Sequence, residues 1–181
     1  MICEDMTCRK KMRQYNIREE TMPKVIMTCG KICSGKSTYA KQLSMKEKAV
    51  ILSVDEITLA LSDLYSGDRL DDYVERLERY LFDKSVEIVE TDINVILDWG
   101  LWTKAERDHA RAFYKSHGIE CEIHYIDVSD DVWQLRIDKR NELVRQGKLS
   151  AYIVDEGLKD KVSSLFEVPD RSEADVILTA E

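Results

Sequence analysis

No run of about eighteen apolar residues occurs in the chain, so no membrane-spanning helix is expected. The opening MICEDMTCRKKMRQ lacks the apolar core of a secretory signal. Nor is there a C-x-x-C pair or a paired metal spacing, and five cysteines is an odd count for a disulfide framework. Reduced thiols in a cytoplasm fit best, and a cytoplasmic location is the expectation. His109, His117 and His124 are scattered without metal-ligand spacing and read as structural or solvent-facing. Positive charge is also scarce. The 27 Lys and Arg face 35 Asp and Glu, and the net charge of −8 disfavours broad nucleic-acid or membrane-surface binding. Internal repeats and low-complexity segments are missing. What remains is an ordinary globular balance, 44% hydrophobic and 34% charged, in 181 residues that suit one domain with a real core.

Against these absences one stretch stands out. Gly30-Lys31-Ile32-Cys33-Ser34-Gly35-Lys36-Ser37-Thr38 fits G-x-x-x-x-G-K-[ST]. Before it, Val25-Ile26-Met27-Thr28-Cys29 is short, β-branched and apolar, as a buried parallel strand would be. After it, Thr38 to Leu43 contains no Gly or Pro and suits a helix. Strand, glycine loop and helix together make a phosphate cradle. Gly30 and Gly35 permit backbone angles closed to other residues, so successive N–H groups can turn toward one anion. The helix aims its positive end at the same point. Lys36 would place a full charge on the β/γ-phosphates and the Ser37 hydroxyl would ligate Mg²⁺. A nucleoside triphosphate, ATP with Mg²⁺, is the expected ligand. Cys33, inside this loop beside Lys36 and a helix N-terminus, is a candidate reactive thiol, though an arbitrary small residue would serve there equally well.

The rest of the chain alternates. Residues 1–22 carry mixed charge with little apolar periodicity and look like an appended helix or arm; residues 23–181 form the expected domain. Ala49 to Ser53 reads as a second strand, followed by Asp55 on the edge where open α/β sheets bind ligands. Ile57 to Leu64 reads as helix, Ser66-Gly67-Asp68 as a turn, and Asp71 to about Thr91 as a long helix. That helix carries Leu70, Tyr73, Val74, Leu77, Leu81 and Ile88 at core spacing. Ile93 to Asp98 is an apolar strand ending in aspartate, the Walker-B pattern. Trp99 and Trp102 follow on the same edge and either wall a substrate pocket or pack. Thr103 caps a helix to His117, Glu120 to Val128 is a fourth strand, and Ser129 is an N-cap candidate. The next helix places Arg136 and Arg140 four apart on one face, either for function or as a solvated face pairing with Asp138 or Glu142. Gln146 to Lys148 reads as a mobile connection, Asp155 to Phe166 as helix, and Ala174 to Thr179 as a last strand. The expected class is α/β, a three-layer P-loop NTPase fold with a parallel sheet of about five strands.

From about Val25 to Leu178 the sequence resembles the small P-loop kinases that include chloramphenicol phosphotransferase, the phage polynucleotide kinase domain and zeta toxins. GKICSGKST, Asp55, the strand ending at Asp98, the lid-like LRIDKRN of residues 135–141 and the late FEVPDRSEAD of residues 166–175 carry the likeness. The resemblance implies ATP- and magnesium-dependent phosphorylation of a hydroxyl group. It implies that Lys36, Ser37 and Thr38 take phosphates and metal, that Asp55 is the base, and that Arg136 and Arg140 belong to a helical lid around residues 130–165. Asp98 would serve either the metal or the acceptor. The nucleotide would lie on Gly30, Lys31, Cys33, Ser34, Gly35, Lys36, Ser37, Thr38 and Arg140. A small hydroxyl-bearing molecule is the expected partner. The alternatives are a polynucleotide 5′-hydroxyl kinase, which the net charge disfavours, and a nucleotide-switched ATPase or binding module. Oligomeric state is left open.

Overall fold

A computed structural model describes residues 22–61 and 69–180. The proposed extension up to residue 21, the 66–68 turn and residues 62–64 of the expected helix lie outside them. Five strands, β1 (Lys24–Cys29), β2 (Ala49–Leu52), β3 (Asn94–Leu97), β4 (Glu120–Val128) and β5 (Val176–Ala180), form one sheet in the order β2-β3-β1-β4-β5. All four pairings are parallel. Parallel neighbours need crossovers, and the helices α1 (Lys36–Glu47), α2 (Val54–Ala60), α3 (Leu70–Val89), α4 (Lys104–Ser116), α5 (Asp130–Arg145) and α6 (Glu156–Leu165) supply them.

The two-residue alternation of β1 decides the layering. Val25, Met27 and Cys29 face the same core as Leu81 and Val89 of α3 and Ala110 and Tyr114 of α4. Ile26 faces the opposite way, against Ala40 and Leu43 of α1. With both faces covered, β1, β2 and β3 are near-continuous apolar runs, as a parallel sheet requires. A third cluster, Trp133 and Ile137 of α5 with Val154 and Val162, forms beyond the end of β4 and roots α5 and α6. Asn141 ties the connection between them: its side-chain amide donates to the Val154 carbonyl at 2.7 Å and its carbonyl oxygen accepts from the Val154 N–H at 2.9 Å.

Several element boundaries differ from expectation for identifiable reasons. Helix α2 begins at Val54, because the Ser53 hydroxyl accepts from the Glu56 N–H and caps it. Ser53 therefore lies outside the second strand, which stops at Leu52, and Asp55 lies inside the first helical turn. Leu70, expected in the core, opens α3 and is exposed. The stretch after α5 is a closed helix end: the N–H groups of Gln146, Gly147 and Lys148 donate back to the carbonyls of Glu142, Val144 and Leu143. Gly147 turns the chain with φ 66°. Trp99 and Trp102 both pack, Trp99 in the main core edge-on to Phe82 and Trp102 against the third cluster.

The strongest local signal is the start of α4. Thr103 accepts from the Glu106 N–H at 3.2 Å and Glu106 accepts from the Thr103 N–H at 3.2 Å, a reciprocal capping box. Thr103→Ala should lower unfolding free energy by about 1 kcal/mol, and Thr103→Ser should largely preserve it. Urea titration of the three proteins checks this; an unchanged midpoint for the alanine variant would show that the cap contributes nothing.

Candidate functional site

At the carboxyl ends of β1, β2, β3 and β4 the sequence elements converge. The chain leaves β1 at Cys29 and turns through Gly30 (φ 145°), Cys33 (φ 59°) and Gly35 (φ 107°) before α1 starts at Lys36. The first glycine is required twice over, by its φ and by space: a Cβ there would lie 2.7 Å from the Ile126 carbonyl oxygen of β4. Cys33 is not glycine and holds a left-handed conformation, a local strain of the kind concentrated at binding loops. The loop is pinned on one side by the Gly30 N–H, which donates to the Gly100 carbonyl at 2.9 Å. On the other side the Trp133 indole N–H donates to the Ile32 carbonyl at 2.6 Å. Trp133 and Arg107 are the functional neighbours that sequence reading passed over.

Lys36 curls back over the loop, donating to the carbonyls of Gly30 (3.0 Å) and Lys31 (2.7 Å). Desolvation lowers its pKa, while the charges of Asp98 and Asp55 act the other way and favour the ammonium. Lys31 contributes backbone only: its own ammonium points away, to Asp130 at 2.8 Å and over the Trp133 ring. Ser37 and Thr38 are exposed on the first turn of α1. Asp98, directly after β3, accepts from the Thr28 hydroxyl at 3.3 Å. The two arginines of α5 reach the same loop. Arg136 donates to the Ser34 carbonyl at 2.5 Å, and Arg140 approaches the Cys33 sulfur at 3.5 Å. The alternative partners for this helix face, Asp138 and Glu142, are taken by Gln134 in one case and by Gln146 and Arg145 in the other.

Asp55 completes the group. Solvent reaches part of its side chain, yet the surrounding protein desolvates the carboxyl enough to raise its pKa; Arg140 and Lys36 pull it down and Asp98 pushes it up. These four charged groups therefore feel one another across one end of the sheet. The histidines stay out of it. His124 is buried between the Tyr39 hydroxyl (2.7 Å) and Glu122 (2.9 Å), a structural role. Among the described residues no cluster of three His, Cys, Asp or Glu side chains could hold a metal by itself.

A five-stranded parallel sheet in this order, with a glycine loop after the central strand, defines a P-loop NTPase fold of the small-kinase type. The family model of the AAA domain, AAA_33, matches residues 25–153, and the chain belongs to that family. No curated protein matches. Among solved structures it is similar to the Mycobacterium tuberculosis APS kinase CysC in complex with AMPPNP and APS, at 18% identity over 88% of this chain and 90% of that one, with TM-score 0.63. A putative kinase from Chloroflexus aurantiacus J-10-fl gives 17% identity, 88% of each chain and TM-score 0.68. Chaetomium thermophilum Kti12 in complex with ADP-AlF3 gives 15% identity, 86% of this chain, 88% of that one and TM-score 0.64. No helix among the described residues is long and apolar enough to cross a membrane.

The raised pKa of Asp55 has a consequence for stability. Its folded value lies above its unfolded one, so ionisation opposes folding, and the penalty grows as pH rises from the unfolded pKa through the folded one. Asp55→Asn should therefore melt higher than wild type at neutral pH, with the difference shrinking as pH falls toward the ordinary carboxylate range. Melting temperatures across pH test this; a lower melting temperature for the variant at neutral pH would contradict it.

Proposed function

We propose that this protein is an ATP-dependent kinase that transfers the γ-phosphate of MgATP to a hydroxyl of a small molecule. The observation that carries the reading is the meeting of Lys36, Asp98 and Arg140 around Asp55 at one end of the sheet, where the charges of the three act on its carboxyl. Phosphoryl transfer passes through a loose transition state with charge spread over the phosphoryl oxygens, so positioning and positive charge dominate. The loop amides and Lys36 hold the phosphates. Arg136 and Arg140, carried on α5, add charge as the nucleotide settles under the lid, which also keeps water from the γ-phosphate.

Ser37 and Asp98 are the oxygen donors for magnesium, a hard cation that takes few protein ligands and keeps water and phosphate oxygens for the rest. That donor set fits. Bound there, Mg²⁺ would supply positive charge against the charge that develops on the phosphates. Asp55 orients the acceptor hydroxyl and takes its proton. Its raised pKa moves it toward the working pH, where a general base is most effective. Solved structures of the same fold that carry AMPPNP or ADP-AlF3 support nucleotide binding. The net charge of −8 favours a small-molecule acceptor over a polynucleotide.

Screening alcohols, nucleosides, sugars and antibiotics for ADP release tests the reading and supplies the acceptor. With that acceptor, Asp55→Asn should lose about 10² to 10⁴ in turnover while MgATP affinity stays close to wild type. The acid limb of the wild-type pH–rate profile should lie above the ordinary carboxylate pKa and should vanish in the variant. Near-wild-type turnover by Asp55→Asn would move the base to Asp98. ATP consumption that no acceptor accelerates, with a partner held in one nucleotide state only, would replace transfer with a nucleotide switch.

A further inference from the structure

Asp98 to Trp102, the strap between β3 and α4, is bonded both to the end of β1 and to the first residue of the phosphate loop. The Gly100 carbonyl holds the Gly30 N–H, and the Leu101 carbonyl accepts from the Cys29 thiol at 3.4 Å. The Trp99 carbonyl and N–H both bond the Thr28 hydroxyl, at 2.9 and 3.0 Å. The strap is also strained. Leu101, a bulky residue, has φ 44°, and Trp102 folds back so closely that a Cβ on Gly100 would fall 2.3 Å from its indole nitrogen. A strained segment keeps one shape only when its surroundings over-determine it.

Arg107 does so here. Its side chain is buried, with relative exposure of the residue only 1%. A buried guanidinium must be paired, and this one is: Nε donates to Glu173 at 2.7 Å, and Nη1 donates to the carbonyls of Leu101 (3.1 Å) and Trp102 (3.4 Å). Glu173 in turn belongs to the segment leading into β5, which is tied to the strap again by the Glu167 N–H on the Trp102 carbonyl (2.8 Å).

We propose that Arg107 is a positioning residue for nucleotide binding: by gripping the strained carbonyls of Leu101 and Trp102 it presents the Gly100 carbonyl to Gly30 and so sets the shape of the phosphate loop. It touches no phosphate itself. The planar fork matters, because a lysine keeps the charge opposite Glu173 but cannot bond that carboxylate and both carbonyls at once. Glu173 has a different task, compensating the buried charge. The two partners therefore separate affinity from stability.

The inference rests on the nucleotide site proposed above, and the experiment separates the two. Binding of a fluorescent methylanthraniloyl-ATP with Mg²⁺ is measured for wild type, Arg107→Lys, Glu173→Gln and Gly100→Ala, alongside melting temperature and hydrogen exchange of the Gly30 amide. Arg107→Lys should weaken binding roughly tenfold or more, as is usual when a group that orients a ligand-holding residue is lost. It should also expose the Gly30 amide to exchange while Val25 to Met27 stay protected. Glu173→Gln should melt lower yet bind nearly as wild type. Gly100→Ala displaces the strap from its other side, keeps Arg107, and should reproduce the loss of affinity and of Gly30 protection even if Arg107→Lys fails to fold. Wild-type affinity in a folded Arg107→Lys or Gly100→Ala protein would overturn the proposal. Failure of the wild-type protein to bind the nucleotide would instead overturn the functional reading on which it rests.

Discussion

The hydrogen bond from the Gly30 N–H to the Gly100 carbonyl joins two segments that frame one end of the sheet. One is the glycine loop after β1; the other is the strap that follows Asp98. The bond requires Gly30 at φ 145° with no Cβ, because the Ile126 carbonyl fills that side. The sheet order places β1 between β3 and β4, so the loop is framed by one neighbour's strap and the other's backbone. From that frame the rest follows. Lys36 starts α1 over the loop carbonyls, Asp98 arrives beside Thr28, and α5 brings two arginines down onto Cys33 and Ser34.

Opposing charges are kept close but unequal at this end of the sheet. Lys36 is desolvated and loses affinity for its proton, whereas Asp55 is desolvated and gains it. Each shift disfavours folding on its own. The apolar layers above and below the sheet supply the compensation. A fully buried aliphatic side chain such as Ile96 or Ile123 contributes about 1.5 to 3 kcal/mol.

Much of this arrangement could be read from the sequence, for physical reasons. A buried parallel strand is a short apolar run, and β1, β2 and β3 are such runs. The glycine loop has a motif because few residues tolerate its angles. Thr103 and Ser129 declare their helices by side-chain chemistry alone. The misreadings share a cause as well. Ser53 follows an apolar run and reads as its last residue, yet its hydroxyl caps the following helix and the strand stops at Leu52. Arg107 sits in a charged helical stretch with no local sign of burial; its partner Glu173 is 66 residues away, a distance no local pattern spans. Trp133 was equally silent, since its indole anchors a loop 101 residues earlier. Lying between Ser129 and the Arg136/Arg140 face, it belongs to a helix the sequence did reveal.

The central claim is that Lys36 and the loop around it bind the phosphates of MgATP, and titration calorimetry tests it most directly. Wild-type protein should bind MgATP with measurable affinity, and Lys36→Ala, folded by circular dichroism, should bind it far more weakly. Equal affinity in the two proteins would contradict the account at its root.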